Sequence, residues 1–272
     1  MRRSQLFVPA NEEKKIRKST SLNADSIILD LEDAVPESGK AEARNSLAEI
    51  LDDLSWDSKR ELCVRINKKS NGEYSHEDLD AVRRLEKVRT IVLPKLETRA
   101  DEIHDYTGKS LIALVETARG FYNIRKISET KGMVAIAFGP QDYANSVRGN
   151  LSAYVSNSSI LTTIVSAARS NDLDPIDGVY FELTNLSGFR KAAEAARDLG
   201  CSGKQVVHPS QIEIANEVFS PSQQELEDAR QIVAVYEKAG LTKTGAIRVD
   251  DRLVDAVHYR RAKDLLGRTE QD

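Results

Sequence analysis

Eight short apolar runs, separated by segments of helical periodicity, constrain this 272-residue sequence more than any other feature. They are Gln5–Val8, Ser26–Leu31, Leu62–Ile66, Thr90–Leu93, Leu111–Val115, Met133–Phe138, Gly178–Phe181 and Lys204–Val207. The fifth and sixth are continuously apolar, as expected of strands buried on both faces of a parallel sheet. Alternation of this kind predicts an α/β protein. Eight repeats favour closure into a (β/α)8 TIM barrel, which typically needs about 250 residues. Pro9-Ala10-Asn11, not a glycine-rich phosphate loop, follows the first strand, which argues against a dinucleotide-binding sheet.

Helix signals fit the alternation. Ser75 with Asp78 reads as a capping box, followed by Leu79, Val82 and Leu85 at helical spacing. Ser220-Pro221-Ser222-Gln223 offers an N-cap, a proline at the first helical position and a capping-box glutamine. The stripe Leu226, Ala229, Ile232, Val233 and Tyr236 then reads as core packing, with Gly240 as the stop. The barrel is expected over residues 1–239. Residues 240–272 are expected to form a C-terminal helical extension: a linker to Val249, then a last helix from Val254 to Leu266. This piece would cover the barrel mouth or reach a neighbouring subunit.

Lys and Arg total 39 against 43 Asp and Glu, a net charge of −4. That balance lacks the basic footprint of a nucleic-acid binder. Lys14-Lys15 and Arg17-Lys18 form a local basic cluster, either an anion site or a solvated helix face. Cys63 and Cys201 have no metal-ligand spacing, so neither a disulfide framework nor a zinc site is indicated, and Cys63 reads as core. No long apolar run suggests a signal peptide or membrane span, and a soluble, cytoplasmic protein with no membrane partner is expected.

In such barrels the active site lies at the C-terminal ends of the strands. Here strand two ends in Asp30-Leu31-Glu32-Asp33, three in Arg65-Ile66-Asn67, and four in Pro94-Lys95. Strand five ends in Glu116-Thr117, six in Gly139-Pro140-Gln141-Asp142, and eight in His208-Pro209. Adjacent strands lie roughly 5 Å apart, so Glu116 and Asp142 could share one hard cation. Mg2+ suits them, because it is usually held by one or two carboxylates plus substrate and water. Glu32 and Asp33 would then hold metal-bound water. Helix capping or a surface pair is the other reading of these acids. Arg65 would match a substrate carboxylate or ketone oxygen with its rigid fork, or else pair structurally with Glu32 or Asp30. His208 would cap the following helix or contact a ligand.

The ordered motifs resemble the citrate lyase β-subunit-like family of the HpcH/HpaI aldolase superfamily, which includes malyl-CoA and citramalyl-CoA lyases. The resemblance runs through Arg3-Ser4-Gln5-Leu6-Phe7-Val8-Pro9, Leu29-Asp30-Leu31-Glu32-Asp33-Ala34-Val35, Lys40 with Ala43-Arg44, and Val64-Arg65-Ile66-Asn67. It continues through Leu93-Pro94-Lys95, Glu116-Thr117-Ala118-Arg119-Gly120, Gly203-Lys204-Gln205-Val206-Val207-His208-Pro209-Ser210-Gln211-Ile212 and Val254-Asp255. It implies a barrel with Mg2+ on Glu116 and Asp142, Arg65 on the oxo-acid part of the substrate, and an acyl-CoA thioester as the other part. Asp255 would match a terminal aspartate acting on the thioester α-carbon, often across a subunit boundary. Lys15 and Lys18 fall near positions that meet CoA phosphates, and Gln141 falls at the substrate. A homo-oligomer, a trimer or multiple of three, is implied.

The activity implied is reversible carbon–carbon cleavage of a malyl-, citramalyl- or citryl-type thioester into a 2-oxo acid and an acyl-CoA. A thioester hydrolase, or a lyase subunit needing an acyl-carrier partner, would use the same site. Four departures from the family pattern bear on substrate identity and on the C-terminal segment. Ala10 replaces a glycine, Gln141 an acid, Asn185 an acid, and Asp250-Asp251 a glycine-containing turn.

Overall fold

A computed structural model describes residues 1–155, 157–239, 245–249 and 252–269. Strands β1 (Ser4–Pro9), β2 (Ser26–Asp30), β3 (Glu61–Arg65), β4 (Thr90–Leu93), β5 (Ser110–Val115), β6 (Met133–Phe138), β7 (Asp174–Asp177) and β8 (Gly203–Val206) pair in order. All eight are parallel, and β8 returns to β1 to close the barrel predicted from the alternation.

The pleat sends successive side chains to opposite faces. Outward residues such as Leu29, Val64 and Ile136 pack under the helices in the larger core, with Leu47, Val82 and Phe189. Inward residues form the barrel interior. Gln5, Cys63, Ile112 and Ile176 of the odd strands make one layer, and Ile28, Val92, Ala137 and Gln205 of the even strands the next. Phe7, Arg65 and Leu114 begin the layer above, where the interior turns from packing to chemistry.

The opposite end is closed by charge. The Arg2 guanidinium reaches Glu61 at 2.8 Å and Asp174 at 2.8 Å, and Glu61 also accepts from Ser26 Oγ and Thr90 Oγ1. Burial alone would raise the Glu61 carboxyl, but the hydrogen bonds and charge of Arg2 hold it below its ordinary value.

The seventh strand departs from the sequence expectation. It is Asp174–Asp177, and Gly178–Phe181 runs on beyond it with Phe181 exposed. Asp-Pro-Ile-Asp carries turn residues by local preference. Tertiary contacts override that preference. Arg2 anchors Asp174, and the Asp177 carboxylate pairs with the buried Lys204 ammonium, which also donates to the Gly178 carbonyl at 2.6 Å.

By backbone contacts the chain divides between Phe219 and Ser220. The C-terminal unit contains helix Gln223–Lys238, an antiparallel hairpin of β9 (Ala246–Val249) and β10 (Arg252–Asp255), and helix Ala256–Thr269. Tyr236 stacks on Tyr259 with ring centroids 4.8 Å apart, burying both. Three expectations change here. Ser222, not Ser220, is the N-cap, in a reciprocal capping box with Glu225. Residues 246–249, expected as linker, form a strand. The last helix begins at Ala256 rather than Val254, because Asp255 Oδ1 accepts the N–H groups of Val257 and His258 and so caps it. The Gly240 stop and the Asp250-Asp251 turn lie outside the described residues. At Ser75 only half of the expected box forms: Ser75 caps Asp78, whose carboxylate instead serves Asn67 and Arg44.

Removing Asp177 would leave Lys204 buried without its counter-charge. Asp177→Ala is therefore expected to lower unfolding free energy by about 3–5 kcal/mol in urea titration, and Asp177→Leu combined with Lys204→Met to recover most of that loss.

Candidate active site at the C-terminal rim

A cavity of about 360 Å3 opens where the strands end, lined by Arg65, Glu116 and Asp142 together with Phe7, Asp30, Asp33, Gln141 and Gln205. Strand order explains the convergence. Arg65 is the last residue of β3, Glu116 follows β5, and Asp142 lies in the first turn of helix Pro140–Ser146 after β6.

Arg65 is held firmly. Its Nε donates to Asp30 Oδ1 at 2.7 Å, its Nη2 to Asp30 Oδ2 at 2.5 Å, and its Nη1 lies 3.0 Å from Glu32 Oε2. The ion pairs that sequence offered as the alternative to substrate binding are thus both present, and the guanidinium still lines the cavity. Its face stacks on Phe7, 5.0 Å from the ring centroid. Burial would lower its pKa, but Asp30 and then Glu32 raise it, so the charge is permanent.

Lys95 is the residue that sequence reasoning quoted at a strand end and assigned no role. Its ammonium lies 2.6 Å from Glu32 Oε1, 3.5 Å from Asp142 Oδ2 and 3.8 Å from Asp33 Oδ2. One cation is thereby shared among three acids. Its backbone sits at φ 51, a left-handed conformation that is costly for any residue with a side chain. From there its N–H donates to Glu116 Oε1 at 2.8 Å. The signal available in sequence was only its position after Leu93-Pro94.

Glu116 is 3% exposed, and among the described residues no Lys or Arg side-chain nitrogen is within ion-pair distance of it. Burial, reinforced by the charge of Glu32 and later Asp142, pushes its carboxyl up to about 8 despite Lys95 and Arg65. Burial also raises Glu32, more than Arg65 and Lys95 lower it. Space for the Glu116 carboxylate comes from Gly139: a Cβ there would lie 2.3 Å from Glu116 Oε2. The donor set is oxygen only, and no cluster of three or more ligating side chains stands ready among the described residues. This suits Mg2+, which completes its shell with water and substrate, and a dication beside Glu116 would offset the burial of its charge.

The remaining sequence candidates are dispersed. Gln141 and Asp33 are both exposed, and both line the cavity. Lys15 and Lys18 are exposed on helix Glu13–Ser19 and do not line it. Asp255 belongs to the C-terminal unit, where its Oδ1 lies 2.7 Å from His258 Nδ1, a contact that lowers its pKa. His208 caps the turn Pro209–Gln211 by accepting from the Ser210 N–H at 3.2 Å, so the capping role is the one observed. Asn185 likewise caps helix Leu186–Asp198. Cys63 is buried and free, its thiol raised by burial.

Residues 3–209 match the HpcH/HpaI aldolase/citrate lyase family. The chain belongs to that family. Among its curated relatives, a (3S)-malyl-CoA thioesterase of Cereibacter sphaeroides is 34% identical over 98% of this chain and 94% of the relative. The mitochondrial citramalyl-CoA lyase of Homo sapiens is 31% identical over 97% of this chain and 84% of its own length. Among solved structures, CitE from Mycobacterium tuberculosis in complex with magnesium, acetoacetate and coenzyme A superposes with a TM-score of 0.80. That comparison has 28% identity and covers 97% of each chain. The CitE structure therefore shares its overall fold with the present chain.

Glu116 generates a test in the metal-free protein. Its folded pKa, about 8, exceeds its ordinary carboxylate value, so unfolding releases a proton between roughly pH 4.5 and 8. Stability is therefore expected to fall as pH rises through that window, by at most about 1.4 kcal/mol per pH unit, and to level off above it. Urea midpoints measured in chelator should show this slope, and Glu116→Gln should flatten it.

Proposed function

We propose that this chain is a Mg2+-dependent carbon–carbon lyase that reversibly cleaves a 3-hydroxyacyl-CoA thioester, of the malyl, citramalyl or citryl type, into a 2-oxo acid and an acyl-CoA. The observation that carries this reading is the meeting of Glu116 and Asp142 with a permanently charged Arg65 around one cavity. Glu116 and Asp142 would hold the metal, with Glu32 and Asp33 on its water. Bound there, Mg2+ supplies Lewis-acid polarisation of the substrate oxygens.

The protein's own residues do the rest. Arg65 stabilises the oxyanion that becomes the ketone as the bond breaks. Asp30 holds the guanidinium in place beforehand, so little reorganisation is needed in the transition state. Lys95 offsets part of the negative charge on Glu32 and Asp142 and orients Glu116 through its backbone N–H. Asp255 exchanges the proton at the thioester α-carbon, and His258 keeps its carboxylate ionised for the synthetic direction. Lys15 and Lys18 are proposed for the CoA phosphates, and Gln141 for the substrate. The active assembly is proposed as a trimer or a multiple of three, in the cytoplasm, where two free buried cysteines persist without a disulfide.

The 34% identity to a malyl-CoA thioesterase favours a second reading, water attack at the same thioester. Free thiol appearing without acyl-CoA separates it from the lyase.

Glu116→Ala and Asp142→Ala are each expected to abolish Mg2+-dependent release of 2-oxo acid, followed by coupling to a ketone-specific reductase. Turnover unchanged in either variant rules the reading out. Gly139→Ala should weaken Mg2+ binding about tenfold or more in calorimetry, because the new methyl group displaces the Glu116 carboxylate.

A further inference from the structure

Lys95 holds a left-handed backbone beside the acids of the rim, a conformation that persists only where its surroundings impose it. One loop supplies that constraint. Between β3 and helix His76–Arg84 the chain folds back on itself, with Lys68 bridging Tyr74 in antiparallel fashion. The Lys69 N–H donates to the Glu73 carbonyl at 2.7 Å, and Gly72 allows the reversal with φ 91. The two bridged residues then reach the same peptide segment. Tyr74 Oη donates to the Pro94 carbonyl at 2.8 Å, and Lys68 Nζ donates to the Lys95 carbonyl at 2.6 Å. Successive carbonyls just past β4 are thus held by a phenol and an ammonium from one loop.

The placing of Lys68 is costly. Its side chain is only 14% exposed, and its Nζ lies 3.9 Å from Glu97 Oε2, at the edge of ion-pair distance. It also lies 5.8 Å from the centre of the Tyr74 ring. Ordering a long cation there gives up side-chain entropy and hydration. The adjacent Lys69 shows the less costly arrangement, exposed and 3.2 Å from Glu77. What the Lys68 contact secures lies on the far side of the Lys95 residue. There the Lys95 N–H donates to Glu116 Oε1 at 2.8 Å, and the Lys95 ammonium lies 3.5 Å from Asp142. Relaxing Lys95 to an ordinary φ would turn that N–H away from Glu116. Lys68 itself does not line the cavity of Arg65, Glu116 and Asp142.

We propose that Lys68 is a positioning residue: by holding the Lys95 carbonyl it fixes the left-handed backbone whose N–H orients Glu116 for a divalent cation. Tyr74 assists through Pro94. The proposal rests on Glu116 and Asp142 as the metal ligands of the lyase reading above.

The test compares Lys68→Met, Lys68→Arg, Tyr74→Phe and Lys69→Met with wild type, all as the full chain. Amide hydrogen exchange is followed in the metal-free protein, and binding of Mg2+ alone by calorimetry. In Lys68→Met the Lys95 and Leu96 amides should exchange about tenfold faster, while those of helix His76–Arg84 keep the wild-type rate. Mg2+ should bind this variant about tenfold more weakly, as loss of a charge-assisted hydrogen bond implies. Lys68→Arg should return to within about threefold of wild type, Tyr74→Phe should weaken Mg2+ by about threefold, and Lys69→Met should match wild type. In turnover, the Mg2+ concentration giving half-maximal rate should rise about tenfold in Lys68→Met, with kcat at saturating Mg2+ within about twofold. Wild-type exchange and Mg2+ affinity in Lys68→Met overturn the proposal. Exchange accelerated equally along helix His76–Arg84, with Mg2+ affinity unchanged, also overturns it and makes the loop a stability element only. Either failure leaves the lyase reading standing if Glu116→Ala loses Mg2+. Mg2+ binding that weakens in Lys68→Met, in a protein that releases no 2-oxo acid, keeps the proposal and removes the lyase. A wild type that binds no Mg2+ removes both.

Discussion

The short contacts between Arg65 and Asp30, and between Lys95 and Glu32, are the constraint on which the rim depends. Asp30, Glu32, Asp33, Glu116 and Asp142 supply five carboxyl groups to one end of a barrel, and among the described residues Arg65 and Lys95 form the ion pairs with them. Packing so many acids together is tolerated because four of them lie within ion-pair distance of Arg65 or Lys95 and the fifth, Glu116, favours its protonated form. The surplus of carboxyl oxygens over paired cations would favour a further positive charge there.

The two ends of the barrel treat charge differently. At the bottom, Glu61 accepts from Arg2, Ser26 and Thr90 while Arg2 also reaches Asp174, and the outcome is a depressed Glu61. At the top, burial outweighs pairing at Glu32 and Glu116, and both are raised. Similar residue types therefore serve as a structural clamp at one end and as a poised site at the other. Between them the interior is mostly Ile, Val, Leu and Ala, interrupted by the two unmet amides of Gln5 and Gln205. That interruption lies directly below the rim, at the seam where β8 returns to β1.

Much of this was legible from residue order. Continuous apolar runs such as Leu111–Val115 and Met133–Phe138 became central strands, and the polar residues after them reached the rim as the alternation required. The seventh strand was misplaced because Asp174-Pro175-Ile176-Asp177 looks like a turn to any local rule, and the Arg2 and Lys204 partners that make it a strand are remote in sequence. The start of the last helix was misplaced for the opposite reason: apolar pattern suggested Val254, while a local cap at Asp255 set the boundary. Lys95 went without a role because its significance lies in a left-handed backbone and three acids from other segments.

Residue order by itself determined the eightfold parallel architecture and the placing of Glu116 and Asp142 at the same end of the barrel, since periodicity and strand adjacency are local or nearly local properties. Only the tertiary structure decided that Arg65 is already clamped by Asp30, that Lys95 is the cation between the acids, and that Gln5 and Gln205 meet across the closing seam of β1 and β8. Those relations join segments up to two hundred residues apart. They follow from the register of a closed sheet and from burial, which sets how strongly each charge is felt, and neither can be read from the spacing of residues along the chain.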